Sequence, residues 1–340
     1  MQVIIPLAGE GKRMRPHTYS KPKPLISVAG KSSLKHILDE LKSQTDKKEI
    51  EISEIIFITG HLAHKIEEFV TTNYDFKATF IEQKIKDGTA GAVRLAEKHI
   101  NEPVLILFVD CIFEADLSLI NKLKEDESGI MWAMHVEDYK RFGVILLDKN
   151  GYLTKIVEKP EKPISKLANI GMYYIKDYKL LFRGIKYIYD NDIRPKGEFY
   201  LTDAFTYMIE HGAKIIAPEV HGWYDTGKPE TFLESNRELL KRGRHKEVKT
   251  ENSEIIPPVH IADDVKIKGS TIGPHVTIGQ GTEIINSTIK ESVIGERTKI
   301  ENAHFEDSII GDECMVSGSF KNLNIGDHCV VCSSEKNKKD

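Results

Sequence analysis

Leu7–Leu25 reads LAGEGKRMRPHTYSKPKPL and follows the apolar run Val3–Pro6 directly. Within these nineteen residues stand two glycines, five basic side chains and three prolines. A buried strand that opens at once into a glycine-bearing, cationic loop is the form of an anion site. Glycine lets backbone N–H groups approach phosphate oxygens. The flanking prolines stiffen the chain around Lys23. The alternative at this point is a solvated surface loop, and the rest of the chain decides between them.

Strand and helix signals alternate after this loop. Residues 32–44 place Leu34, Ile37, Leu38 and Leu41 at helical spacing. Residues 54–60 form an apolar run that stops at glycine; 61–73 read as a helix, 77–83 as a strand and 90–100 as a helix. Glu102–Phe113 reads as one apolar strand running through Asp110. This order predicts an α/β, Rossmann-like domain with a mixed, mostly parallel sheet covered on both faces. Ligands of such sheets lie beyond the carboxyl ends of the strands, where Gly9, Gln83 and Asp110 fall. From about Met131 hairpin character increases, and Asn150-Gly151 predicts a two-residue turn. Residues 202–212 and 228–243 read as helices.

The last stretch changes period. Ile-Gly recurs at 272, 278, 294, 310 and 325, with β-branched residues between. Near-constant spacing of this kind predicts a parallel β-helix of hexapeptide-like turns. The division expected is 1–240 catalytic, 241–254 a charged linker, 255–332 the β-helix and 333–340 a polar tail.

Bulk composition narrows the function. Across 340 residues Lys+Arg is 48 and Asp+Glu is 52, a net of −4, so no overall basic excess points to nucleic acid or an anionic membrane. The N-terminal cluster is therefore a local feature. No run approaches a membrane span of about 20 apolar residues. Four cysteines in so long a chain give no disulfide framework, and the expected compartment is the cytoplasm. Cys329 and Cys332 form a single C-x-x-C pair; with no second pair they read as small apolar side chains.

The loop together with seven later stretches resembles the sugar-phosphate nucleotidylyltransferases. These stretches are DGTAGAV (Asp87–Val93), FVD (Phe108–Asp110), FGVI (Phe142–Ile145), VEKP (Val157–Pro160), NIGMYYI (Asn169–Ile175), GEFYLTDAF (Gly197–Phe205) and GWYDTGKPETF (Gly222–Phe232). They occur in family order over about residues 1–240. Several members carry a left-handed β-helix, which the tail resembles. The short Gly9-Glu10-Gly11 loop looks like that of the uridylyltransferases.

The resemblance implies a reaction and a set of roles. A sugar-1-phosphate oxygen attacks the α-phosphorus of a nucleoside triphosphate, and pyrophosphate leaves. Leu7, Ala8, Gly9, Gly11 and Arg13 would hold the triphosphate, with Lys23 beside the departing pyrophosphate. Lys12, Arg15 and Lys21 are expected to face solvent or to serve as electrostatic background. Gln83, Gly88 and Thr89 would meet the base; the Gln83 amide can both donate and accept, as a pyrimidine edge requires. Gly143, Glu158, Lys159 and Asn169 would bind the sugar phosphate, with Tyr200 and Thr202 lining its pocket. Asp110 and Asp225 would ligate Mg²⁺. The substrates implied are dTTP or UTP with glucose 1-phosphate, in a homo-oligomer. A mannose-1-phosphate guanylyltransferase and a non-catalytic scaffold on the same fold are the alternatives. An added acyltransferase activity in the tail is disfavoured by its shortness.

Overall fold

The computed structural model describes residues 1–162, 164–243 and 250–333. The centre of the predicted linker, 244–249, and the tail from 334 lie outside the described residues. By internal contacts the chain divides into two units. The first holds Met1–Gly9 and Ile37–Trp223; the second holds Glu10–His36 and Tyr224–Asp340. The cationic loop thus belongs to the same unit as the β-helix.

The first unit is built on a nine-stranded mixed sheet. Gln2–Pro6 lies between Glu54–Thr59 and Val104–Leu107, parallel to both, and Ala78–Glu82 extends the parallel half. Val3, Ile4, Ile5, Ile55, Ile56 and Phe57 are fully buried, as strands covered on two faces require. The other half turns antiparallel at Leu167–Ile175, which pairs with both Val104–Leu107 and Gly129–His135. The hairpin Gly143–Leu147 with Leu153–Glu158 completes that edge.

Three elements differ from the sequence reading. The single strand expected over Glu102–Phe113 is two, Val104–Leu107 and Cys111–Glu114, with Asp110 exposed in the turn between. Phe108 still donates in register to the Gly171 carbonyl at 2.9 Å, and the first strand's ladder ends there. The predicted two-residue hairpin turn is a three-residue loop, Lys149–Gly151. Asp148 Oδ1 accepts the N–H groups of Asn150 and Tyr152 at 2.8 and 2.9 Å, and the ladder closes one residue further out. A helix at Tyr178–Asp190 has no counterpart in the sequence reading. Asp177 caps its start by accepting the Leu180 N–H, and Leu181, Ile185 and Ile188 are buried.

In the second unit, Glu254–Cys332 forms a parallel β-helix. Each strand pairs one coil on, as in the column Ile278, Ile294, Ile310 and Ile325. Ile272, Ile278, Ile284, Ile289 and Ile300 are buried inside it. The recurring glycine has a steric cause. A Cβ on Gly279, Gly295 or Gly311 would lie 2.5–2.7 Å from the backbone of the equivalent glycine one coil later. Inward hydroxyls join the coils as well: Thr282 Oγ1 accepts the Thr298 N–H, and Thr298 Oγ1 accepts the Cys314 N–H. Cys329 is half-buried and packs at the edge of this core, whereas Cys332 is exposed.

Candidate active site

The cationic loop is tightly folded. Gly11 takes φ 62°, ψ 33°, and a Cβ there would meet Thr18 Cγ2 at 2.9 Å and Lys23 Cβ at 3.0 Å. It opens the short 3₁₀ turn Lys12–Met14, from which Arg13 projects exposed while Met14 is buried. Thr18 donates to the Gly11 carbonyl at 3.0 Å and ties the loop across its base. Glu10 is engaged by Lys12 at 3.4 Å and Arg15 at 3.5 Å, so its charge is offset locally. Lys23 is 8% exposed, which excludes the solvated-loop alternative for that side chain. Lys21 corrects the sequence reading. It is half-buried and donates to Asp312 Oδ2 at 2.5 Å.

Asp225 stands in the same unit. Its Oδ1 accepts the Gly227 N–H at 2.7 Å, and a Cβ on Gly227 would lie 3.2 Å from Arg13 Nη2. The Asp225 carboxylate and the Arg13 guanidinium therefore flank one bare backbone segment. Ser235 donates to the Asp225 carbonyl at 2.8 Å, anchoring the strand end to the helix Pro229–Arg242.

The other candidates lie in the first unit. Leu7 and Ala8 are buried beside the Glu54–Thr59 strand, Leu7 donating to the Ile58 carbonyl at 2.7 Å. Gly9 is exposed. Gln83 is 7% exposed, and its Nε2 faces Asp87 Oδ1 and the Gly88 carbonyl, each at 3.4 Å. Its donor is thus turned toward the neighbouring loop. Gly88 has φ 121° and ψ −178°, and a Cβ would stand 2.3 Å from the Phe199 carbonyl oxygen. Thr89 Oγ1 accepts the Leu201 N–H at 2.9 Å and couples this turn to the helix Leu201–Glu210.

Glu158 and Gly143 face each other across the hairpin. A Cβ on Gly143 would lie 2.8 Å from Glu158 Oε2 and 3.7 Å from Asn169 Nδ2, so these three residues converge. Asn169 Oδ1 accepts the Gly171 N–H at 2.9 Å, which fixes the amide and the bulge it sits on. Lys159 is exposed, with its Nζ 3.6 Å from Glu158 Oε1. Its φ is 47°, a left-handed backbone at a non-glycine residue that also precedes proline. That conformation costs about 1 kcal/mol or more and persists where the surrounding structure over-determines it. Trp223 packs edge-on against Phe142, with ring centroids 4.9 Å apart.

Asp203 was missed by sequence reasoning. Its Oδ2 is buried without a hydrogen-bond partner among the described residues. Burial, with the Glu158 charge nearby, pushes its carboxyl up to about 6. The only signal was its place in the first turn of a helix, where an acidic residue is ordinary. Asp87 was missed as well: it accepts from the Tyr189 hydroxyl at 2.5 Å, and Arg94 lies over that ring at 4.1 Å.

Both metal candidates offer hard carboxylate oxygens at strand ends, a donor set that suits Mg²⁺. They fall in different units. Among the described residues no group of three or more His, Cys, Asp or Glu gathers as a metal site.

The family model described as nucleotidyl transferase matches residues 2–242, from the first strand to the end of the helix after Asp225. The chain belongs to this nucleotidyl transferase family. It is 35% identical over 246 residues to the bifunctional protein GlmU of Methanocaldococcus jannaschii, covering 71% of this chain and 55% of the relative. It is 31% identical to the low-salt glycan biosynthesis nucleotidyltransferase Agl11 of Haloferax volcanii, over 71% of this chain and 66% of that protein. The UTP–glucose-1-phosphate uridylyltransferase AglF of the same organism is 28% identical, over 70% of this chain and 96% of its own. The chain thus spans a little over half the length of the GlmU relatives it matches. A solved UDP-glucose pyrophosphorylase, in complex with UDP-glucose, shares the fold over 71% of this chain at a TM-score of 0.59 and 22% identity.

Proposed function

We propose that the protein transfers a nucleotidyl group from dTTP or UTP to glucose 1-phosphate, giving a nucleotide sugar and pyrophosphate. The observation that carries this reading is the convergence of Arg13 and Asp225 on Gly227, within a glycine-opened loop that buries Lys23. Cation and bare backbone suit a polyphosphate, and the carboxylate beside them suits the divalent cation that would accompany it.

The chemistry asked of the chain is alignment and charge stabilisation. Arg13 presents a planar fork to phosphate oxygens, and Lys23 adds a point charge as pyrophosphate departs. Gln83, Gly88 and Thr89 hold the base, with the Gln83 carbonyl as the acceptor. Lys159 takes the phosphate of the sugar substrate. Glu158 accepts from a sugar hydroxyl in the space that Gly143 leaves open, and Asn169 supports it. Asp110 and Asp225 are assigned to Mg²⁺, which when bound would shield the two anionic substrates from each other and polarise the α-phosphate.

The pyrimidine choice leans on the likeness to AglF, whose printed activity uses UTP and glucose 1-phosphate. All four cysteines are free, which fits a reducing cytoplasm. Met315 and Val330 pair on adjacent coils and are 52% and 69% exposed, an apolar pair that suits a homo-oligomer contact.

A matrix of five triphosphates against glucose, mannose, galactose and N-acetylglucosamine 1-phosphates, read by pyrophosphate release with Mg²⁺, tests the reading. Release is expected with UTP or dTTP and glucose 1-phosphate. GTP with mannose 1-phosphate as the sole productive pair would select the guanylyltransferase alternative. No release with any pair would leave the scaffold alternative.

A further inference from the structure

The segment Pro16–Lys21 lies against the last two described coils of the β-helix, inside one unit. Three polar contacts hold it there. Lys21 Nζ donates to Asp312 Oδ2 at 2.5 Å, Ser20 Oγ donates to Asp327 Oδ2 at 2.6 Å, and His17 Nε2 meets Asn324 Oδ1 at 2.6 Å. His17 is buried, and desolvation holds its imidazole below the usual histidine range. Neutral at pH 7, it donates through Nε2–H to the Asn324 carbonyl.

The two aspartates are also held from the coil side. Asp312 Oδ1 accepts the Glu296 N–H at 3.0 Å, and Asp327 Oδ1 accepts the Asp312 N–H at 2.8 Å. Each carboxylate thus spends one oxygen on the coil backbone and offers the other to the loop. Glycines make this possible. A Cβ on Gly295 would lie 2.5 Å from Asp312 Oδ1, and one on Gly311 2.5 Å from Asp327 Oδ1. The sequence carries Gly-Asp only at these two coils; the earlier ones read Gly-Pro, Gly-Gln and Gly-Glu.

Packing does not substitute for these contacts. A cavity of about 240 Å³ remains between the loop and the coils, lined by His17, Lys21, Leu25, His260, Asp312 and Asp327 among others. The segment is pinned at points rather than bedded in a filled interface. Four residues upstream of His17 stands Arg13; two downstream of Lys21 stands Lys23.

We propose that the β-helix is a positioning element for the cationic loop: Asp312, Asn324 and Asp327 clamp Lys21, His17 and Ser20, and thereby fix the backbone that presents Arg13 and Lys23. This rests on the reading of Arg13 and Lys23 as triphosphate ligands. The aspartates are positioning residues, since they touch the loop and not the substrate. A solely structural role predicts loss of stability with no selectivity between the two substrates.

The test compares Asp312→Ala/Asp327→Ala with Asp264→Ala in the full chain. Asp264 Oδ1 accepts the Gly281 N–H at 2.9 Å, a coil-to-coil cap that runs to the following coil, and so controls for the loss of a carboxylate cap elsewhere in the β-helix. Asp312→Asn serves as the milder variant should the double variant fold poorly. The clamp predicts a KM for the triphosphate raised about tenfold and a lowered kcat, with the KM for the sugar phosphate within about twofold. It also predicts faster amide exchange in residues 11–25, while Asp264→Ala leaves both readouts unchanged. Unchanged exchange in 11–25, or equal loss for both substrates with a matching fall in Tm, overturns the proposal. Were the wild type inactive on every pair, the activity reading would fail, and exchange in 11–25 would still decide the clamp.

Discussion

A Cβ on Gly143 would stand 2.8 Å from Glu158 Oε2, so the bare backbone of one hairpin strand makes room for the carboxylate of the other. Gly143→Ala forces that carboxylate to shift, because a Cβ contact under 3 Å is not sustained. The site proposed for the sugar loses its hydroxyl acceptor geometry while the hairpin ladder survives. The KM for the sugar phosphate is expected to rise about tenfold, with the triphosphate KM little changed. Steady-state kinetics with each substrate varied in turn checks this.

Gly88→Ala has a different outcome. Its backbone at φ 121°, ψ −178° is open to glycine alone, and the added methyl meets the Phe199 backbone at 2.3 Å. The Asp87–Gly88 turn is held there by Phe199 N–H donating to Asp87 O at 2.8 Å. We expect destabilisation on the order of 3 kcal/mol, together with loss of nucleotide binding. Denaturant titration and calorimetric binding of UTP separate the two effects.

Asp203 gives a pH signature. Its folded-state carboxyl sits near 6, above an unfolded carboxylate near 4. Between those values the folded chain binds the extra proton, so the contribution of this group to stability falls as pH rises through that window. Asp203→Asn removes the cost of burying the charge. Its Tm should exceed that of the wild type at pH 8, and the gain should shrink towards pH 4. A gain independent of pH would assign the effect to packing.

Arg13→Lys keeps a positive charge and discards the planar fork. If Arg13 meets phosphate oxygens in pairs, kcat falls by about a hundredfold although the charge count is unchanged. Arg15→Lys, altering a side chain that pairs with Glu10, should change kcat less than twofold.

The features legible in the sequence are those set by local pattern. The parallel strands announce themselves as apolar runs, because burial on both faces leaves no room for alternation. The β-helix announces itself through Ile-Gly, because stacked backbones exclude a Cβ at those corners. The hairpin after Leu147 was only half legible: Asn150-Gly151 is a turn signal, but Asp148 capping two N–H groups lengthens the loop. Lys21 was not legible at all, since its partner Asp312 lies 291 residues away and nothing around the lysine encodes it. Asp203 was hidden for a related reason. The burial of its Oδ2 without a partner among the described residues follows from the helix packing beside Glu158, not from the residues adjoining it.

Metal-assisted nucleotidyl transfer by Asp110 and Asp225 is the reaction we propose for this chain. Pyrophosphate release from UTP and glucose 1-phosphate, measured for the wild type, Asp110→Asn and Asp225→Asn with and without Mg²⁺, tests it most directly. Release is expected to require Mg²⁺ in the wild type and to fall by about a thousandfold or more in each variant. Release that persists in either variant, or that proceeds equally in the presence of a chelator, would contradict it.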